Sequence, residues 1–78
     1  MPYVYIIKSE NGKYYTGSCV DIDVRLRRHN ANTGAITTRG HIWSLVHSEE
    51  FSDIKDARNR EKKIKSYKGG NAFKKLIS

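Results

Sequence analysis

The sequence carries one cysteine, Cys19, in 78 residues. A lone thiol excludes a disulfide framework and a thiolate metal cluster within the chain, so Cys19 reads as a small core residue. Long apolar runs are missing as well. No stretch is long enough to span a bilayer, and no basic segment followed by an apolar core opens the chain. A cytoplasmic protein with no membrane contact is the expectation. Repeats, low-complexity tracts and linkers are also missing. Acidic residues are scarce in one place only. From Met1 to Ile54 six basic residues meet six acidic ones, whereas from Lys55 to Ser78 nine basic residues meet only Asp56 and Glu61. The whole net charge of +7 therefore sits in the C-terminal third. Such an asymmetry favours a polyanion partner, nucleic acid first.

A chain of 78 residues is expected to form one domain, spanning residues 1–78, near the lower limit of what one apolar core can hold together. It leaves little room for a cavity around a large organic cofactor. An open, shallow site on the surface is the expectation.

Along the chain, Tyr3–Ser9 is a run of β-formers, Glu10–Asn11–Gly12 has turn chemistry, and Tyr14–Ser18 reads as a second strand. Asp21 can cap a helix over Ile22–Asn30, with Ile22 and Leu26 one turn apart on its apolar side. Asn32–Gly40 reads as a polar loop. Ile42–Phe51 reads as a third strand, with Trp43 and Leu45 on one face and Ile42, Ser44 and Val46 on the other. Asp53 can cap a second helix from Ile54 to about Tyr67, which Gly69–Gly70 ends. Asn71 begins a short last helix whose apolar residues are Phe73, Leu76 and Ile77. The fold class predicted is α+β: a small three-stranded antiparallel sheet flanked by helices, in the order β-β-α-β-α-α.

Two features of the helices point to chemistry. Ile54, Ala57, Glu61 and Ile64 recur at steps of three, four and three, so a carboxylate interrupts an apolar stripe. A buried carboxylate needs a cation, a metal ion or a half-open cleft. An ion pair with an arginine of the first helix and a metal site at the edge of the sheet both satisfy that need. In the first helix, Arg25 and His29 lie four apart and share a face, with Arg28 adjacent. A solvated basic face is one reading. An arginine fork for phosphate beside an imidazole that can donate or accept a proton is the other.

Taken together, Tyr3-Val4-Tyr5, Tyr15-Thr16-Gly17, the "DIDVRLRRHN" helix and the "ARNREKKIK" helix resemble the GIY-YIG nucleases in content and order. The resemblance runs over essentially the whole chain. It is nearest to the short, stand-alone bacterial type related to the catalytic domain of the UvrC excinuclease. Tyr3 stands where the family name has glycine, and Thr16 stands where it has isoleucine. The resemblance implies Tyr5 and Tyr15 as paired active-site phenols, Arg25 as the phosphate-binding arginine, His29 as a histidine found in several branches, and Glu61 as the single ligand of a divalent metal. Asn71 is the nearest counterpart of an asparagine that many members carry after the metal helix, slightly closer to Glu61 than usual.

These roles require both phenols on one face of the sheet, and hairpin register decides that. A two-residue Asn11–Gly12 loop puts Tyr5 and Tyr15 on opposite faces. A three-residue Glu10–Asn11–Gly12 loop pairs Ser9 with Lys13, puts both on one face, and sets Gly12 at the left-handed position such loops need. The shared site selects the three-residue loop.

The function expected is metal-dependent endonuclease action on phosphodiester bonds in DNA, with RNA left open. Glu61 would hold one Mg²⁺ or Mn²⁺, and Arg25 would bind the non-bridging oxygens. Tyr5 would be the general base, its ordinary pKa of ~10 lowered by the arginine and the metal. Tyr15 would position phosphate or water, and His29 would accept or orient the phenol's proton. Arg28, Arg58, Lys62, Lys65, Lys68 and Lys74 would hold the nucleic-acid backbone without reading sequence. The alternative is a non-catalytic nucleic-acid-binding module of the same fold acting with a partner protein. Oligomeric state is not encoded in any of these patterns.

Overall fold

The computed structural model describes residues 1–30 and 42–77. Its elements are β1 (Tyr3–Ser9), β2 (Tyr14–Cys19), α1 (Ile22–Asn30), β3 (Trp43–Glu50), α2 (Ile54–Ser66) and α3 (Asn71–Ile77). The predicted order and class hold, and the boundaries agree to within about a residue. The Asn32–Gly40 loop expectation lies outside the described residues.

The three strands form one antiparallel sheet in the order β2-β1-β3. The central place of β1 follows from its composition. Tyr3 to Ile7 is a continuous run of apolar and aromatic residues, the pattern of a strand covered on both faces. Val4, Ile6 and Ile7 are fully buried, and each such side chain stabilises the fold by about 1.5–3 kcal/mol. Even-numbered residues of β1 face α2 and α3, where Val4 and Ile6 pack with Ala57, Ile64 and Phe73. Odd-numbered residues face α1, where Tyr5 and Ile7 pack with Cys19 and Trp43, flanked by Tyr15, Ile22 and Leu26. A register shift between Ile6 and Ile7 marks a bulge in the pairing with β3. It lets Leu45 pair with Ile7 while Val46 joins the α2 side.

The β1–β2 hairpin has the three-residue loop. Ser9 N donates to Lys13 O at 2.8 Å, Gly12 N donates to Ser9 O at 3.0 Å, and Gly12 has φ of 86°. Tyr5 therefore pairs with Gly17, and Tyr15 with Ile7. The helix starts follow the predicted caps. Asp21 Oδ1 accepts from Val24 N at 3.2 Å, and Asp53 Oδ1 accepts from Lys55 N at 2.8 Å.

Two side-chain links orient the helices on the sheet. At the end of α1, Asn30 Nδ2 donates to Trp43 O at 3.1 Å and Asn30 Oδ1 accepts from Trp43 N at 2.6 Å. This pairing holds the last turn of α1, and with it His29, against the start of β3. On the other face, Arg60 forks onto Glu49, with Nε 2.9 Å from Oε1 and Nη2 3.2 Å from Oε2, and His47 Nε2 lies 2.8 Å from the same carboxylate. Burial alone would push the Glu49 carboxyl up, but the bonds from Arg60 and His47 outweigh it and hold it below its ordinary value. With Arg60 held on β3, the helix rotation that places Glu61 is set as well.

Candidate active site

The site is built on the odd-numbered face of the hairpin. Tyr5 is 2% exposed, and its hydroxyl lies 3.0 Å from His29 Nε2. Tyr15, half-buried on the neighbouring strand, has its ring 6.4 Å from that of Tyr5 and 5.0 Å from that of His29. Three rings from two strands and a helix thus share one small volume, with Trp43 behind Tyr15 at 6.4 Å. Arg25, half-buried one helical turn before His29, completes the group through its field, which acts on Tyr5, Cys19 and His29 alike.

Gly17 makes this packing possible. It sits directly across from Tyr5 in the ladder. A Cβ built there would lie 2.6 Å from the Tyr5 hydroxyl, 2.8 Å from Cζ and 3.2 Å from Tyr15 Cε1. Both phenols pass over a bare backbone, and the Tyr5 ring is buried where the added carbon would meet it. Gly17→Ala is expected to cost about 1–3 kcal/mol, as an overpacked core does. It should also separate the Tyr5 hydroxyl from His29. A denaturant melt gives the first effect, and loss of the near-ultraviolet tyrosine dichroism gives the second.

Electrostatics assign the resting protons. Burial pushes the Tyr5 phenol well above its ordinary range, the neighbouring Tyr15 adds to this, and the lowering effect of Arg25 does not overcome them; the Glu61 carboxylate also acts to raise it. The arginine effect expected from sequence is present but outweighed. Burial, then Arg25, then Arg28 lower the pKa of His29 below 6.5. At neutral pH the pair is therefore a protonated phenol donating to a neutral imidazole, with Nε2 as the acceptor. Burial likewise raises the Cys19 thiol, and the residue is a core thiol as expected.

Glu61 comes from the other layer. Its helix packs Ala57 and Ile64 on the Val4–Ile6 face, opposite the tyrosine cluster, and the Glu61 charge is the weakest of those that act on Tyr5. Its side chain is 19% exposed, and Oε2 lies 2.6 Å from Nζ of Lys65, which is 54% exposed. The ion pair considered with the first helix is thus replaced by an i,i+4 pair within α2. The interrupted stripe is otherwise as read, except that Ile54 is 37% exposed at the start of the helix. Among the described residues no three His, Cys, Asp or Glu side chains gather to form a metal cage. A half-buried lone carboxylate whose partner is a largely exposed lysine fits a hard cation that keeps most of its waters.

The basic residues expected to hold backbone, Arg28, Arg58, Lys62, Lys65, Lys68 and Lys74, are all exposed. Arg58, Lys62 and Lys65 follow one another at helical spacing on α2. Asn71 is the exposed first residue of α3. Sequence reasoning did not single out Asn30 or Tyr14. An asparagine closing a helix was the available signal for the first.

The family model described as the GIY-YIG catalytic domain matches residues 1–74. A UPF0213 protein of Halobacterium salinarum is 42% identical over 66 residues, covering 83% of this chain and 86% of that one. A UPF0213 protein of Staphylococcus saprophyticus is 38% identical over 77 residues, covering 97% and 93%. The solution NMR structure of the UPF0213 protein BH0048 from Bacillus halodurans superposes with a TM-score of 0.50 at 33% identity, covering 92% of this chain and 90% of that one. The chain belongs to the GIY-YIG family, a family of nucleases. These three relatives, each spanned over 86% or more of its length, are UPF0213 proteins.

Proposed function

We propose that the chain is a metal-dependent endonuclease that hydrolyses phosphodiester bonds in DNA, with Tyr5 and His29 acting together as the base. The observation that carries this reading is the 3.0 Å contact between the Tyr5 hydroxyl and His29 Nε2 inside a cluster with Tyr15. A phenol held protonated by its surroundings cannot serve as a standing phenolate. It can pass a proton along. As a water attacks phosphorus, its proton moves to the Tyr5 oxygen while the Tyr5 proton moves to Nε2 of His29. The phosphorus–oxygen bond in line with the attack then breaks, and the released oxygen takes a proton from solvent.

Arg25 would bind the non-bridging oxygens, since a guanidinium offers paired donors to a phosphate. Tyr15 orients the phosphate or the water beside the two rings. Glu61 would hold one Mg²⁺ or Mn²⁺, which when bound supplies charge neutralisation at the phosphate and the leaving oxygen. The exposed lysines and arginines of α1, α2 and α3 would hold the strand through its phosphates, in a salt-dependent way. Conversion of supercoiled plasmid to nicked circles in the presence of Mg²⁺ or Mn²⁺, and its loss in a chelator, tests the reading. Retarded DNA in a gel without nicking under any of these metals would instead mark a binding module.

A further inference from the structure

A groove of about 490 Å³ lies beside the edge strand β2, lined by Tyr14, Tyr15, Ile64 and Phe73 together with the exposed Lys65 and Lys68. The groove lies on the α2 and α3 side of the sheet, and its lining meets the candidate active site at Tyr15. Lys65 is the partner of Glu61. Tyr14 is 41% exposed, meets Phe73 edge-on at 5.3 Å, and has Lys8 Nζ 5.6 Å from its ring centre. An exposed aromatic wall with three ammonium groups around it suits a flat, apolar ring bearing anionic substituents. A base with its phosphates has that chemistry, and a base paired inside a duplex cannot present its face there.

The backbone adds a second, independent observation. Lys68 has φ of 51°, among the described residues the one non-glycine residue in the left-handed region, and it immediately follows the cap residue of α2, Tyr67. Glycine occupies that position without steric cost, and a lysine does not. A side chain kept on a strained backbone at the rim of a groove points to a use for its charge.

We propose that this groove holds one unpaired nucleobase next to the phosphate in the candidate site, stacked against Tyr14, with its phosphates on Lys65 and Lys68. The proposal rests on the nuclease reading and names its substrate: duplex DNA interrupted by an unpaired nucleotide. Fluorescence anisotropy in a chelator, with a fully paired duplex and the same duplex carrying one unpaired nucleotide, tests it. The wild-type protein should bind the interrupted duplex about tenfold more tightly. Tyr14→Ala should remove that preference and leave affinity for the paired duplex within about twofold. Lys68→Gly should reduce the preference while its melting temperature is unchanged or higher, which separates lost binding from lost folding. Equal wild-type affinity for the two duplexes, or a preference that survives both substitutions, would overturn the proposal. Metal-dependent nicking with no such preference would overturn the groove and leave the nuclease. A preference without nicking would support the groove and remove the nuclease.

Discussion

Tyr5→Phe should lower turnover by about 10²–10⁴-fold, the usual loss when a positioned proton-transfer group is removed. The ring, its packing over Gly17 and its contacts with Tyr15 all persist in phenylalanine; only the proton path to His29 goes. DNA affinity should change little, because the phosphate contacts are assigned to Arg25 and the exposed lysines. Stability should fall by about 1–2 kcal/mol, since Nε2 of a buried imidazole loses its hydrogen-bond donor. If Tyr5 were an ordinary packed aromatic, the stability loss would appear without the loss of turnover. A single-turnover nicking rate beside a thermal melt tells the two apart.

The relay also dictates a pH dependence. His29 accepts a proton only while neutral, so activity should rise with pH through its pKa. That pKa is lowered, first by burial and then by Arg25 and Arg28. The acid limb of the rate profile should therefore lie below 6.5, the ordinary histidine value. Arg28→Ala removes one of the lowering charges and should move the limb upward. The stability sign follows from the same shift. The unfolded chain binds the proton more readily, so the stability associated with His29 is full above the ordinary value and is lost as pH falls toward the folded one.

The elements that share these residues were largely legible, because each carries its own local signal. Asp21 and Asp53 announce the two long helices, and the run from Tyr3 to Ile7 announces a strand buried on both faces. The hairpin is more instructive. Local turn preference favours the two-residue Asn11–Gly12 loop, and only the requirement that two phenols share a face selects the three-residue one. The observed Ser9–Lys13 pairing agrees with that requirement. What was not legible depends on tertiary context. Burial decides the protonation of Tyr5, and no pattern within β1 reports how deeply its ring is covered. Likewise, α2 packs on the face opposite α1, so Glu61 cannot be assigned to Arg25 from helix periodicity. Its i,i+4 partner Lys65 could have been read from spacing alone. At the end of α2 the Gly69–Gly70 pair suggested glycine at the left-handed position; Lys68 takes it, with Gly69 following at φ of 76°.

Glu61→Gln separates catalysis from folding most sharply. The amide keeps the shape of the side chain and removes the charge that would hold a divalent cation. Nicking should fall by about 10²–10⁴-fold, the several kcal/mol that a metal ion contributes at a phosphate. DNA retardation in a chelator should persist, since Arg25 and the lysines are untouched. The stability change should be small. The bond lost is an i,i+4 contact with a lysine that is 54% exposed, and such pairs contribute only about 0.3–0.5 kcal/mol. A buried partner of Arg25 would have behaved otherwise, with a penalty of about 3–5 kcal/mol for the arginine left behind. A metal-free thermal melt of the variant should therefore overlay that of the wild type to within a few degrees. Nicking at the wild-type rate by the same variant would take Glu61 out of the site, and the metal-assisted mechanism with it.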